Sequence, residues 1–372
     1  NGHRWACQEG PKSQFRNMPT PKPLSRRQWL LTSGTALAGL ALSARFLNEE
    51  MRAQVTNERL QAVAPVRARL SLNENPLGPS PLATQAMIQH LQGGRAPRYP
   101  YAETNELTNL LAAKEGVRPE QIVLGVGSGE VLETVGLHIG LLKGEVIYAT
   151  PGYLQMIRSV EAAGGRAVGV PVNARLEHDL DAMAARAVAP NSVVYVANPH
   201  NPTGTAVAPE ALRAFVRAVA PKALVFIDEA YLDFADDAAR HSVVDLVHEQ
   251  ENLVVARTFS KIYGLAALRV GYGVTNVRLA AKLRSYGLGT PNGPGIVGAI
   301  ASLRDEAYVT AMRSRVVSER DQLVALLRRL GRRYAEPQTN FVFFHTGRPH
   351  KEVFDRMLAE SVSIARAFPP ML

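Results

Sequence analysis

Val193-Val194-Tyr195-Val196-Ala197 runs directly into Asn198-Pro199-His200-Asn201-Pro202-Thr203-Gly204, and the reading of this stretch decides the fold. The first five residues form an unbroken apolar run of β-favouring types. Such a run predicts a strand of a sheet buried on both faces. The next seven favour turns, because two prolines, two asparagines and a glycine punctuate the backbone. An asparagine held among prolines at a strand end is also a rigidly placed hydrogen-bond donor. Outward from this stretch, Pro209–Ala220 places Leu212, Phe215, Val216 and Val219 on one helical face, with Pro209 suited to a first helical position. Leu224–Ile227 is the next strand.

The same alternation extends from residue 96 to about residue 290. Candidate strands are Ile122–Leu124, Val146–Ala149, Ala167–Val170, Val193–Ala197, Leu224–Ile227, Leu253–Ala256 and Val270–Val274. Alternating strands and helices predict an α/β domain with a mostly parallel, seven-stranded sheet. After about residue 308 the texture changes. Ala311–Leu330 reads as a long amphipathic helix carrying Leu323, Leu326, Leu327 and Leu330. A strand at Asn340–His345 and a helix near Lys351–Ser361 follow, which predicts a smaller α+β domain. The chain stops at Pro369-Pro370-Met371-Leu372 without a closing element, so a C-terminal truncation is expected. The expected organisation is a leader over residues 1–45, an arm and part of the small domain over 46–95, a large domain over 96–308 and a small C-terminal domain over 309–372.

The chain of 372 residues has 42 Lys+Arg and 33 Asp+Glu, a net charge of +9. Residues 1–45 hold seven of the basic residues and one acid, Glu9, so the remainder is nearly neutral. A nucleic-acid footprint is therefore not expected on the body. The single cysteine, Cys7, also lies in the front segment, which excludes disulfides, cysteine zinc sites and thiol catalysis elsewhere. No metal-ligand spacing is present in the body. Residues 1–17 precede Met18, a plausible start. Arg26-Arg27 precedes the apolar run Leu30–Ala44, which closes with Leu42-Ser43-Ala44. A charged region, a short apolar region and small residues form an export-signal pattern. The arginine pair resembles a twin-arginine signal. The expected location is periplasmic or exported, with only transient membrane contact; the alternative is cytoplasmic.

Ligands of open α/β sheets bind at the carboxyl ends of strands, so the residues that follow each strand are the candidates. After Ile122–Leu124 comes Gly125-Val126-Gly127-Ser128-Gly129-Glu130, a tight turn or an anion-holding loop at a helix start. After Leu224–Ile227 comes Asp228-Glu229-Ala230-Tyr231. Asp228 serves either as a helix cap or as the anionic partner of a cationic ring nitrogen, and Tyr231 can reach the same ligand. After Leu253–Ala256 comes Thr258-Phe259-Ser260-Lys261-Ile262-Tyr263-Gly264, with Arg269 beyond. Thr258, Ser260 and Arg269 suit an anion. Lys261 is either a solvated lysine or a nucleophilic amine whose basicity is lowered by burial and nearby cations. Taken together, a glycine loop, Asn, Asp, Tyr, Lys and Arg after successive strands ask for a phosphorylated electron-sink cofactor bound through lysine. That cofactor is pyridoxal 5'-phosphate.

From about Leu70 to its end the chain resembles the fold-type I aminotransferases, and among them the histidinol-phosphate aminotransferase branch. The strings that carry the resemblance are Asn73-Glu74-Asn75-Pro76-Leu77-Gly78, Arg98-Tyr99-Pro100, Gly125–Glu130, Pro151-Gly152-Tyr153, Asn198–Gly204, Asp228–Tyr231 and Thr258–Arg269. The resemblance implies the pyridoxal-phosphate transferase fold of type I. It implies that Lys261 is the lysine bonded to the cofactor and the proton shuttle, and that Asp228 partners the pyridine nitrogen. Asn201 and Tyr231 would bond the phenolic oxygen, and Tyr153 would stack on the ring. Ser128, Gly129, Thr258, Ser260 and Arg269 would hold the phosphate, Gly129 through its backbone, and Glu130 would belong to the cofactor site. Asn75 would face substrate, and Tyr99 would reach across a homodimer whose subunits share the site.

The chain departs from the family in having Gly129 before Glu130, where relatives usually carry Asp. It also ends before the usual position of a substrate-carboxylate arginine, and Arg366 lies upstream of that position. The implied reaction is amino transfer between a small amino donor (an amino acid or amino-alcohol phosphate) and a 2-oxo acid. A decarboxylase or lyase on the same scaffold, such as a threonine-phosphate decarboxylase-like enzyme, is the alternative. A cofactor-binding protein without catalysis is the second.

Overall fold

A computed structural model describes residues 66–368 apart from Pro190. The leader read over residues 1–45 lies outside the described residues. The described chain begins with a two-residue strand, β1 (Ala68–Arg69), then helices α1 (Pro81–Gln92) and α2 (Tyr101–Glu115). Strict alternation follows: β2 (Ile122–Val126), α3 (Ser128–Leu141), β3 (Glu145–Thr150), α4 (Gln155–Ala162), β4 (Arg166–Pro171) and α5 (Leu180–Arg186). Next come β5 (Ser192–Ala197), α6 (Pro209–Val219), β6 (Leu224–Asp228), the single turn α7 (Ala238–His241), β7 (Leu253–Thr258) and β8 (Val270–Val274). Helices α8 (Val277–Arg284), α9 (Gly293–Leu303), α10 (Glu306–Arg329) and α11 (His350–Ala359) lead to β9 (Val362–Ser363).

The large sheet has the order β2-β8-β7-β6-β5-β3-β4. β8 runs antiparallel to both its neighbours, and the other pairings are parallel. All seven strands read for the large domain are present, each end within two residues of its expected position. The continuous apolar runs have a simple cause. In β5, Val193, Tyr195 and Ala197 enter the core on one face while Val194 and Val196 enter the core on the other. A strand covered on both sides has no polar face to alternate with. In α6 the buried residues are Leu212, Phe215, Val216 and Val219, the expected stripe. Helices α3 and α4 approach so closely that a Cβ on Gly140 would lie 2.4 Å from Ala163 Cβ and 2.5 Å from Val160 O.

The C-terminal part corrects the sequence reading. Asn340–His345 is not a strand; it makes an isolated antiparallel bridge, Tyr334 with Phe344. Side chains divert the backbone there. Thr339 Oγ1 donates to Phe341 O at 2.8 Å, and Asn340 Nδ2 donates to Asn73 O at 3.1 Å. The long helix starts at Glu306, five residues earlier than expected, because Asp305 caps it by accepting from the Tyr308 N–H. β9 instead pairs in parallel with β1, Ala68 opposite Val362 and Arg69 opposite Ser363.

Candidate active site

Strand direction gathers the candidate residues at one edge of the sheet. The parallel strands β3, β5, β6 and β7 end there, and β2 is parallel to them because β8 reverses twice between it and β7. The amino end of β8 meets the same edge, which brings Arg269, the residue before β8, beside Gly127, just after β2. β3 has β4 on one side and β5 on the other, so the strand order reverses at that point, where open α/β sheets bind ligands.

Asp228 closes β6 opposite Ala197 and is 6 % exposed. Its Oδ2 accepts from the Tyr195 hydroxyl at 3.1 Å and its Oδ1 from the Ala230 N–H at 3.1 Å. Burial pushes the carboxyl up to about 6, against the lowering effect of Tyr195, Ala230 and the Lys261 charge. Glu229, the next residue, pairs instead with Arg257 at 2.9 Å. The two neighbouring acids therefore serve different purposes.

Lys261 stands half-buried after β7. Its Nζ donates to Leu72 O at 2.9 Å and lies 5.3 Å from the centroid of the Tyr231 ring. Burial brings its amine down to about 8, Arg269 adding to the fall and Glu74 and Asp228 opposing it. The Tyr231 hydroxyl accepts from Asn73 Nδ2 at 3.1 Å and from Asn201 Nδ2 at 3.5 Å. Burial raises this phenol above its ordinary value; the Asp228 charge adds to the rise and the two amide donors oppose it.

The Asn198–Gly204 loop divides its labour. Asn198 Oδ1 accepts from the Val207 N–H at 3.0 Å, and the His200 N–H donates to Thr205 O at 2.7 Å. His200 Nδ1 lies 2.9 Å from Thr203 Oγ1. The first asparagine and the histidine thus fix the loop, and the second asparagine is delivered to Tyr231.

Gly127, Ser128 and Gly129 open α3, whose first amides have no intrahelical acceptor. Arg269, with φ 54°, reaches over this turn. Its Nη1 lies 3.3 Å from Ser260 Oγ, and Thr258 Oγ1 donates to Ser260 Oγ at 3.0 Å. A Cβ at Gly127 would lie 2.1 Å from Arg269 Nη2, so only glycine lets the guanidinium lie against the loop. The first amides of α3, the Thr258 and Ser260 hydroxyls and the Arg269 guanidinium form a donor set suited to a dianion.

Four expected residues are placed as follows. Glu130 spends its carboxylate on the loop itself, accepting from the Val126 N–H at 2.6 Å and the Gly289 N–H at 2.7 Å. Tyr153 donates to Gln155 Oε1 at 2.6 Å, and Gln155 Nε2 donates to Glu133 at 2.9 Å. Asn75 uses Nδ2 on Ile262 O at 3.0 Å and Oδ1 on the Leu77 N–H at 3.0 Å, both local to the scaffold around Lys261. Tyr99 is 80 % exposed, beside Tyr101 with ring centroids 5.7 Å apart. Sequence reasoning missed Tyr195 and Asn73. A tyrosine within a valine run reads as core, and nothing in the sequence separates Asn73 from Asn75.

The donor set fits pyridoxal 5'-phosphate part by part. The glycine cradle with Arg269, Ser260 and Thr258 suits the phosphate. Asp228 suits a cationic ring nitrogen, Tyr231 with Asn201 the phenolic oxygen, and Lys261 the aldehyde carbon.

The sequence profile of the aminotransferase class I and II family matches residues 68–371. A histidinol-phosphate aminotransferase from Limosilactobacillus fermentum is 37 % identical over 309 residues, covering 82 % of this chain and 84 % of the relative. One from Moorella thermoacetica is 38 % identical over 300 residues, 80 % of this chain and 76 % of the relative. Among solved structures, the histidinol-phosphate aminotransferase from Sinorhizobium meliloti in complex with pyridoxal-5'-phosphate superposes with a TM-score of 0.75 at 27 % identity. That match covers 86 % of this chain and 87 % of the other.

Proposed function

Because this chain belongs to the class I and II aminotransferase family and is a pyridoxal-phosphate-dependent aminotransferase, we propose that its amino donor is histidinol phosphate or a close amino-alcohol phosphate, with a 2-oxo acid as acceptor. The names of the relatives quoted above support this choice of donor. The observation that carries the chemistry is the half-buried Lys261 amine, lowered to about 8 and facing Tyr231 at the strand ends.

When bound, the cofactor supplies an electron sink for negative charge at the substrate's Cα. The protein's own residues do the rest. Asp228, fixed at both oxygens, would hold the proton on the ring nitrogen. Tyr231 and Asn201 would bond the phenolic oxygen. Lys261 Nζ would hold the cofactor and would be the base that takes the proton from the substrate's Cα. An amine near 8 is partly unprotonated at neutral pH, as a base with this task must be. Arg269 and the first turn of α3 would anchor the phosphate and so keep the cofactor in place.

The test mixes the purified, cofactor-loaded protein with histidinol phosphate and follows the visible absorbance of the cofactor. Loss of the visible band, with recovery on adding 2-oxoglutarate, is the expected result. A band that ignores histidinol phosphate but responds to another amino compound would move the substrate.

Two further features belong to this reading. A homodimer with a shared site is supported by the exposed Tyr99 and by exposed Leu82, Ile88 and Leu91 on α1. Export is supported by Arg26-Arg27 before the apolar run Leu30–Ala44, and fractionation of a host expressing the whole chain tests it.

A further inference from the structure

We propose that Tyr195 is the positioning residue of Asp228: a fixed hydroxyl donor on the neighbouring strand that orients the carboxylate and helps keep it anionic as the partner of the cofactor's ring nitrogen. The inference rests on the role given to Asp228 above. It begins with an oddity of composition. β5 reads Ser-Val-Val-Tyr-Val-Ala, every residue is buried, and Tyr195 is the only member with a polar tip deep in the run. At 2 % exposure its hydroxyl needs a protein partner. It finds Asp228 Oδ2 at 3.1 Å.

Register explains the reach. Ala197 stands opposite Asp228, and Tyr195 lies two residues back on the same face of β5. That is the diagonal cross-strand distance a long aromatic side chain spans. The ring is held beneath, packed on Phe226 with centroids 6.0 Å apart, so the hydroxyl is presented from a rigid base. The other carboxylate oxygen takes the Ala230 N–H. One oxygen is thus fixed by local backbone and the other by Tyr195 alone among the described side chains.

A buried carboxylate tends to take a proton, and only donors or cations oppose this. The groups acting on Asp228 are Tyr195 from β5, the Ala230 amide after β6 and Lys261 after β7. Tyr195 is the largest of the three opposing influences, ahead of the amide and the lysine. Tyr153 and Tyr231 also lie within electrostatic reach of the Tyr195 hydroxyl, and both bring phenols rather than a second cation. Without the hydroxyl, Asp228 would hold its proton to higher pH and would have one oxygen free to turn.

The test is Tyr195→Phe in the holoenzyme, which keeps the ring on Phe226 and removes one oxygen. The expected result is a kcat reduced about tenfold at pH 6–7, as befits a hydrogen bond to a charged group, with KM for the amino donor changed less than about threefold. In the unliganded protein the acid limb of pyridoxal-phosphate binding should move to higher pH, and that defect should shrink as pH is raised, because Asp228 then ionises unaided. The affinity for added pyridoxal phosphate, several-fold weaker, is a second readout. A packing defect would be independent of pH. Should that variant fail to fold, 3-fluorotyrosine in place of Tyr195 keeps both ring and hydroxyl, and its stronger donor should move the acid limb the opposite way, to lower pH. A variant with the parent's acid limb and the parent's cofactor affinity overturns the inference. Asp228→Asn, measured in parallel, separates the two assignments. If it is crippled while Tyr195→Phe is normal, only the Tyr195 inference fails; if it is itself normal, the role of Asp228 fails first.

Discussion

Asp228 carries its charge at the expense of the folded protein. Its carboxyl rises from an ordinary 3.8 to about 6 through burial. Between those values the folded chain keeps a proton that the unfolded chain has released, so stability falls as pH rises through that window and stays lower above it. A shift of this size corresponds to about 3 kcal/mol at neutral pH. Unliganded Asp228→Asn is therefore expected to be more stable than the parent at pH 7, by about 1–3 kcal/mol, with the gain gone near pH 4. Urea denaturation at the two pH values checks this; a variant less stable at pH 7 contradicts it. Lys261→Ala is expected to abolish turnover while leaving weaker, dialysable cofactor binding, and residual transamination would remove Lys261 from the mechanism. Asp228, Asn201 and Lys261 were marked out in the sequence because each stands at, or within four residues of, the end of an apolar strand, where ligands of such sheets bind. Asn73 was not, since its partner Tyr231 is 158 residues away and only the folded chain brings the two together.

At the scale of elements, α3 matters because its first turn carries the proposed phosphate site while its last turns rest on α4. Gly140→Ala tests that support. In an isolated helix the change would add about 1 kcal/mol of stability. Here the new Cβ meets Ala163 Cβ at 2.4 Å and Val160 O at 2.5 Å, one of them backbone that cannot swing aside. A net loss of about 1–3 kcal/mol is expected in chemical denaturation, and a stabilised variant would mean the helices are farther apart. Apolar runs and amphipathic stripes made β2 through β8 readable, because burial on two faces writes itself into composition. The failures have equally physical causes. β1 and β9 have two residues each, too few for any period. Asn340–His345 has the composition of a strand, yet Thr339 and Asn340 redirect its backbone. The direction of β8 was not legible either, since an antiparallel strand in a buried sheet is as apolar as its parallel neighbours.

For the whole molecule, the alternation of strands and helices announced a parallel sheet, but the order of its strands rests on contacts between distant segments that no local pattern encodes. Sedimentation of the loaded protein is expected to give a dimer, and a monomer with full activity would refute the shared site. Cofactor in thousand-fold excess over its dissociation constant is expected to add about 4 kcal/mol to stability, read as a rise in Tm on loading. One property of the sheet gives this coupling a location. β2 is an edge strand, joined to β8 by five residue pairs from Ile122–Val274 to Val126–Val270. The glycine turn continues one side of this ladder and Arg269 begins the other. An anion held between them is a rivet through the sheet's outermost seam. Inorganic phosphate alone, with no ring attached, should then slow amide hydrogen exchange in β2 and β8 while leaving β4, at the far edge, unchanged. Opening of the sheet from that side would be set by occupancy of the phosphate site, and the enzyme that loses its cofactor would begin to come apart at the strand that held it.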